Sequence, residues 1–417
     1  MSNNKGADTC HANADGNTNS RWRIGSHRNA ERVVAEWESP RATTVGINYT
    51  RRLTRIQVRT ASRTYDALIQ RGLLRACGET LRDVASTAAK AFVISSEPIL
   101  QLWGTAVDES LNSAGRHATA LTIPDGETAK RLSTVEKIAS RMVAAGADRQ
   151  SFVLALGGGV VGDVGGFLAS IFMRGIPVIQ VPTTLVAQVD SAIGGKTGVN
   201  LTVGKNLIGT FHQPAAVLVD PDVLATLPER EYRSGLFEAM KYGIIRNPAI
   251  FDLMESNREA FLRRDGELLE RLIVDCIRVK AEVVSADERE GGERRILNFG
   301  HTIGHTLESA TKYKTFLHGE AVGWGMIAAA VVGREMGITD DTTGERIIAL
   351  VRAYGDLPGV EVSGTRVLKL LQSDKKTIGG VPHFVLARSI GQVEVVNTVT
   401  PKAVLSAVRE LARLSKS

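Results

Sequence analysis

The sequence predicts an α/β protein: an open, parallel-stranded sheet layered with helices in its first half, followed by a mostly α-helical second part. Three observations carry this expectation. Short, continuous apolar runs such as Phe152-Val-Leu-Ala-Leu156 recur between helix-length segments, as expected of strands buried on both faces of a parallel sheet. Such runs alternate with helical patterns over residues 55–225, which fits βαβ units. After Leu227-Pro228 long helical periods take over, so the boundary is placed near residues 225–230.

Taken in order, residues 1–50 stand apart. Residues 1–20 are almost all Asn, Gly, Asp, Ala, Ser and Thr, with nothing to bury, and read as a disordered extension. The first domain then spans 51–227. Residues 56–58 read as a strand, 65–74 as a helix and 91–95 as a buried strand. A helix follows over 128–145, then buried strands at 152–156, 178–182 and 216–220. The second domain, 228–417, has helical periods at 235–245, 266–287, 302–311 and 320–336, with a late hairpin within 382–399.

A chain of 417 residues has room for two ordinary domains, and 43% hydrophobic with 23% charged residues suits a globular core. No stretch approaches the roughly 18 consecutive apolar residues of a membrane-spanning helix. The 41 glycines cluster without a fixed period, which excludes collagen-like and solenoid classes. The net charge of +6 is dispersed among acids and aromatics are only 5%. A nucleic-acid binder would gather its cations into a stripe, so a phosphorylated or carboxylated small molecule is the expected partner. Cys10, Cys77 and Cys276 are odd in number and far apart, which fits a reducing compartment rather than a disulfide framework. With no apolar signal segment in the first 20 residues, the expected location is cytoplasmic.

Five features carry chemistry. Gly157-Gly-Gly-Val-Val-Gly-Asp163 follows a buried strand and opens an apolar helix. In a Rossmann-like turn of this kind the backbone N–H groups meet a phosphate at a helix N-terminus, although a plain tight turn reads alike. Pro182-Thr-Thr184 adds a polar turn at the next strand end. Asp190-Ser-Ala-Ile-Gly-Gly-Lys196 and Gly204-Lys205-Asn206 set lysines among glycines, as in a loop that receives an anion. The full glycine-lysine spacing of a nucleoside-triphosphatase phosphate loop is missing. His301, His305 and His318 fall within 18 positions, the first two at i, i+4 on one helix face. Three such ligands can hold Zn²⁺ and leave a position open for catalysis; helix-face histidines bonded to water or backbone are the plain alternative. Glu238 has apolar neighbours and needs a metal or an ion-pair partner, for which Lys241 is a candidate. Lys280 interrupts the stripe Leu269, Leu272/Ile273, Cys276, Val283/Val284, where it must either meet an anion or snorkel to solvent.

These segments resemble the 3-dehydroquinate synthase family, within the sugar-phosphate cyclase superfamily. The resemblance covers roughly residues 60–400. It rests on the glycine run at 157–163, Arg174-Gly, Val181-Pro-Thr-Thr-Leu, Val189-Asp-Ser-Ala-Ile-Gly-Gly-Lys-Thr-Gly and Gly204-Lys-Asn-Leu-Ile-Gly. It continues through Phe237-Glu-Ala-Met-Lys-Tyr-Gly, Lys280-Ala-Glu-Val-Val-Ser-Ala-Asp-Glu-Arg-Glu, Leu297-Asn-Phe-Gly-His-Thr-Ile-Gly-His, Leu317-His-Gly-Glu and Asp374-Lys-Lys.

What the resemblance implies is specific. An NAD-binding α/β domain precedes a helical metal- and substrate-binding domain, and the chain forms a homodimer. Glu238, His301 and His318 ligate Zn²⁺ or Co²⁺, which moves His305 to the substrate side. Asp190, Lys196, Asn206, Lys241, Lys280, Arg294, Asn298 and His305 meet the substrate, with one of Lys375 and Lys376. Arg174 corresponds to an arginine that reaches the partner subunit's phosphate pocket. For NAD the matching positions are Glu127, Lys130, Gly158, Gly159, Val160, Asp163, Thr183, Thr184, Lys196, Lys205 and Thr226. Ser96 departs from the Asp or Asn that family members often place at the adenosine-ribose contact.

The implied reaction converts 3-deoxy-D-arabino-heptulosonate 7-phosphate to 3-dehydroquinate and phosphate, in the shikimate pathway of aromatic amino acid biosynthesis. It runs by transient NAD-dependent oxidation, phosphate elimination, re-reduction and intramolecular aldol closure. Related cyclases that take sedoheptulose 7-phosphate or glucose 6-phosphate, and metal-dependent polyol dehydrogenases, are the alternatives. Retention of Lys280, Arg294 and His305 favours the carboxylated substrate.

Overall fold

In the computed structural model, which describes residues 53–84, 89–373 and 382–416, the apolar runs of the first half form a seven-stranded sheet. Its strands are β1 (Thr54–Arg59), β2 (Thr64–Ile69), β3 (Ala91–Ser96), β4 (Ala118–Ile123), β5 (Phe152–Gly157), β6 (Val178–Pro182) and β9 (Ala216–Val219), in the order β1-β2-β9-β6-β5-β3-β4. All neighbours run parallel except β1, which pairs antiparallel with β2 at one edge. Every residue of β3, β5, β6 and β9 is buried, which is why these strands read as unbroken apolar runs. The readings for residues 1–50 and for Lys375 and Lys376 lie outside the described residues.

Alternate side chains of one strand enter different cores. Phe92, Ile94, Val153 and Ala155 pack with α2 (Leu132–Ala144) and α3 (Gly159–Ile171). Val93, Leu154 and Leu156 face the other way, joining α1 (Thr105–Ser113) and residues of the helical half such as Leu236, Ile277 and Ala328. The crossovers diverge at β3: β4 lies on one side of it and β5 on the other. In open α/β sheets the carboxyl ends at such a switch point form the ligand crevice.

Two expectations are corrected here. Residues 65–74 are not a helix: they form β2, then a short 3₁₀ turn at Leu73–Ala76. Tyr65, Ala67 and Ile69 are buried, and the strand is enclosed between β1 and β9. A ten-residue apolar window cannot by itself tell a buried strand from a short helix. The lysine-glycine segment after Asp190 is also no open loop. It folds as the antiparallel hairpin β7 (Lys196–Leu201) and β8 (Gly204–Phe211), with Lys196 opposite Phe211.

From Glu229 the chain is helical: α4 (Glu229–Ile245), α5 (Pro248–Ser256), α6 (Gly266–Ala286), α7 (His301–Ala310), α8 (His318–Glu335), α9 (Asp341–Ala353), α10 (Gly364–Ser373) and α11 (Pro401–Leu414). Asp265 caps α6 by accepting from the N–H groups of Glu267 and Leu268, which satisfies donors the helix cannot. α8 is buried almost all round and forms the axis of this half. The expected late hairpin is present as β10 (Phe384–Ser389) and β11 (Gln392–Val396). No described helix is long and apolar enough to cross a membrane.

Candidate active site

α4, α7 and α8 bring Glu238, His301, His305 and His318 together. The helices approach very closely at one point: a Cβ on Gly325 of α8 would lie 1.7 Å from the carbonyl oxygen of Gly300, the residue before His301. Glu238 is completely buried, and neither of its oxygens makes a hydrogen bond. Its Oε1 lies 3.6 Å from His301 Nε2 and 3.3 Å from His318 Nε2. Its Oε2 has the Lys241 ammonium at 2.7 Å, an ion pair outside hydrogen-bond geometry.

Both imidazoles are held from behind. His301 Nδ1 is 3.0 Å from the Phe299 carbonyl oxygen, and His318 Nδ1 is 3.5 Å from Glu308 Oε2. Each contact needs a proton on Nδ1, so Nε2 is the nitrogen turned toward Glu238. Burial pulls His301 down to about 4, against the attraction of Glu238, which leaves the neutral, ligand form. Burial raises Glu238, but Lys241 and His301 outweigh it and hold the carboxyl below its ordinary range. Burial would also lower His318, yet the neighbouring carboxylates of Glu238 and Glu308 raise it.

An orphaned buried carboxylate facing two oriented imidazoles fits a Zn²⁺- or Co²⁺-type ion. His305 belongs to the same cluster: ligand atoms of His301, His305 and His318 lie within 4.8 Å of one another. The arrangement thus contains both the three-histidine set read from spacing and the set implied by resemblance.

Next to this cluster lies a knot of buried charge. Asp190 sits in the turn Ala187–Ser191 after β6. Its Oδ1 accepts from Lys280 Nζ at 2.7 Å and from the Tyr242 hydroxyl at 2.5 Å, with Lys241 Nζ at 3.4 Å. Burial favours protonating Asp190, but Lys241 and Lys280 hold it well below the ordinary carboxylate range. Lys280 is pushed down to about 8, first by burial and then by Lys241 and Arg294, against the pull of Asp190. Lys280 therefore does not snorkel. It meets an anion inside the stripe, whose other members are all buried.

Arg294 is buried and donates from Nη2 to the Gly194 carbonyl oxygen at 3.1 Å. Glu290 pairs with Lys196 and accepts from Asn298 Nδ2 at 2.9 Å. Lys196, Asn206, Glu290, Asn298, His301 and His305 all line a cavity of about 670 Å³, a size suited to a small-molecule site.

On the sheet side, Gly158 caps α3 at the end of β5. A Cβ there would come within 2.9 Å of Thr184 Cγ2, so Gly-Gly at 158–159 keeps the turn and the polar Thr183-Thr184 turn in close contact. Lys130 bridges Asp163 and Asn206. Glu127 accepts from Asn200 Nδ2 at 2.7 Å and has Lys205 Nζ at 3.7 Å. Val160 lies in the first turn of α3, and Thr226 closes the 3₁₀ turn Pro221–Thr226 after β9. Ser96 and Thr183, at the carboxyl ends of β3 and β6, have buried hydroxyl oxygens without hydrogen-bond partners among the described residues. Orphaned hydroxyls, a glycine turn and a helix N-terminus at a switch point fit a dinucleotide. Arg174 stands apart. It is exposed at the other end of α3 from Gly158, roughly 20 Å away for 13 residues at 1.5 Å each.

Sequence reasoning missed Glu290, Glu308 and Tyr242. Glu290 ends the Asp287-Glu-Arg-Glu290 run, whose acid density was the available signal. The positions of Glu308 and Tyr242 show only once α7 and α4 are folded.

Comparison with known proteins adds the following. The family model of the 3-dehydroquinate synthase N-terminal part matches residues 120–234, and that of the C-terminal part matches residues 235–377. The chain is 56% identical over 363 residues to the 3-dehydroquinate synthase of Koribacter versatilis, covering 87% of this chain and 99% of that one. It is 49% identical over 353 residues to that of Solibacter usitatus, covering 84% and 98%. Among solved structures, a 2-epi-5-epi-valiolone synthase from Streptomyces hygroscopicus subsp. jinggangensis 5008, with NAD⁺ and Zn²⁺ bound, superposes with a TM-score of 0.77. Its identity is 28%, over 91% of this chain and 100% of that chain. A 2-deoxy-scyllo-inosose synthase complexed with carbaglucose-6-phosphate, NAD⁺ and Co²⁺ gives 0.77 and 28%, over 86% and 99%. Glycerol dehydrogenase from Schizosaccharomyces pombe, at 15% identity and a TM-score of 0.64, shares the fold.

Proposed function

The chain belongs to the 3-dehydroquinate synthase family, and on that premise we propose that it converts 3-deoxy-D-arabino-heptulosonate 7-phosphate to 3-dehydroquinate and phosphate. The observation that carries the site assignment is Glu238 Oε1, buried and without a hydrogen bond, facing the Nε2 atoms of His301 and His318 at 3.6 and 3.3 Å. Glu238, His301 and His318 would hold the divalent metal. The turn at Gly158, Gly159 and Val160, with Thr183, Thr184, Glu127, Lys130, Asp163, Lys205 and Thr226, would hold NAD. When bound, NAD⁺ supplies reversible hydride acceptance and the metal supplies Lewis acidity toward substrate oxygens.

The chain's own residues supply placement and charge. Lys280 and Arg294 are buried cations that would serve the substrate carboxylate, with Asp190 fixing the Lys280 ammonium. Lys196, Asn206 and Asn298, held in place by Glu290 and Lys130, line the cavity as donors to phosphate oxygens. His305, on the cavity wall, can hold or pass a proton during phosphate departure. Lys241 keeps Glu238 ionised. Enclosure in a shaped, charged pocket orients a flexible seven-carbon acid for ring closure.

Arg174, exposed and outside this cluster, suits a contribution to the site of a second copy, so a homodimer is part of the reading. Buried free thiols at Cys77 and Cys276 suit a reducing cytoplasm. The test is phosphate release from the heptulosonate phosphate with and without a chelator, while absorbance at 340 nm is followed. Chelator-sensitive release without net NADH is expected. Net NADH would instead identify a polyol dehydrogenase.

A further inference from the structure

Glu308 takes no part in the reaction proposed above, yet it is a carboxylate only 4% exposed. It follows His301 and His305 at i+7 and i+3, on the same face of α7. Burying a carboxylate is costly unless both oxygens are paired. Here they divide between two partners. Oε2 lies 3.5 Å from His318 Nδ1, and Oε1 lies 3.6 Å from the Lys205 ammonium. Lys205 is fixed in turn by Glu127 at 3.7 Å and by the Tyr313 ring at 4.2 Å. His318 needs such an anchor, because 37% of its side chain is exposed at the first turn of α8.

We propose that Glu308 is a positioning residue for metal binding: it fixes the ring orientation and tautomer of His318, so that Nε2 rather than Nδ1 is presented beside Glu238. This rests on the reading that Glu238, His301 and His318 are the metal ligands. A carboxylate behind a ligating imidazole raises its basicity and locks its rotation, and losing one typically lowers metal affinity about 10–100-fold.

The experiment measures Zn²⁺ affinity and loss rate of the full-length protein by competition with a chelator, together with the visible spectrum of the Co²⁺-loaded form. Glu308→Ala should bind metal about 10–100-fold more weakly. Glu308→Gln should fall between it and the wild type, since an amide oxygen still accepts from Nδ1–H. Melting of the metal-free Glu308→Gln protein should match the wild type, as a merely structural role would not allow. Wild-type metal affinity in Glu308→Ala, or in Glu308→Gln should the alanine variant not fold, overturns the role of Glu308. His318→Ala is the control. Tight metal binding in that variant overturns the ligand assignment itself, a distinct result.

Discussion

At the scale of single residues, the sequence shows tension more clearly than its resolution. Glu238 and Lys280 stand out because each puts a charge among apolar neighbours, and both are buried and ion-paired in the structure. The sequence offered Glu238 either Lys241 or a metal. In the fold Lys241 takes one oxygen, while the other faces two imidazoles. Alanine at Glu238, His301 or His318 should strip the metal and abolish phosphate release, whereas His305→Ala should keep stoichiometric metal and lose activity. Metal analysis checks this; zinc lost from His305→Ala but kept in His318→Ala would overturn the assignment and restore the simple i, i+4 pair of His301 and His305. Lys280 supports a prediction in pH. Its ammonium is lowered from 10.5 to about 8, chiefly by burial. The folded chain therefore binds fewer protons than the unfolded one between those values. The cost of this group to stability, complete below about pH 8, is relieved as pH rises toward 10.5. Substrate capture needs the charged form, so kcat/KM should decline above about pH 8. In Lys280→Arg, whose guanidinium keeps its proton, that limb should vanish even if kcat/KM is lower throughout. Its persistence would assign it to another group, of which Lys196, also lowered by burial, is the first to test.

Among elements, legibility followed burial on both faces and length. β3, β5, β6 and β9 are continuous apolar runs and were readable, and so were the long periods that became α4, α6, α7 and α8. β2 was not, because its identity is fixed by β1 and β9, and β9 lies some 150 residues further along the chain. The β7–β8 hairpin was not, because its glycines and lysines suggest a loop until pairing supplies the missing hydrogen bonds. The close approach of α7 and α8 is likewise absent from any local pattern, and it yields a prediction. A methyl group on Gly325 would meet the Gly300 backbone oxygen at 1.7 Å, and backbone cannot swing away as a side chain can. Gly325→Ala should push the helices apart, costing about 1–3 kcal/mol of stability by overpacking. Metal affinity should fall as well, although no ligand is altered. Thermal melting and metal titration read both effects. Gly359→Ala is the control, since a Cβ there meets nothing within 4 Å and should leave both unchanged. Equal behaviour of the two variants would refute the claim that this contact sets the ligand geometry.

For the whole molecule, the site is the product of a shared core. Asp190 leaves the sheet, Lys241 and Lys280 arrive from α4 and α6, and Arg294 follows α6 to reach back to Gly194, 100 residues away. No spacing rule in the sequence encodes those encounters. The motifs announced which residues matter, and the packing of helices against the sheet decided what they meet. The outcome is a group of buried cations, and this predicts substrate choice. A buried ammonium and guanidinium are unfavourable unless an anion completes their pairing, and Asp190 Oδ1 is shared between Lys280 and Lys241, the latter also paired with Glu238. A carboxylated sugar phosphate supplies the further anion, whereas sedoheptulose 7-phosphate does not. The wild-type protein should therefore cyclise the heptulosonate phosphate and reject sedoheptulose 7-phosphate. Removing one charged partner from a desolvated site costs about 2–5 kcal/mol, so Lys280→Met or Arg294→Ala should lower kcat/KM for the acid roughly 30-fold or more. NAD and metal content should stay at wild-type levels in both variants, which separates lost substrate recognition from a damaged cofactor site. Cyclisation of sedoheptulose 7-phosphate by the wild type at a comparable rate would sink the carboxylate assignment.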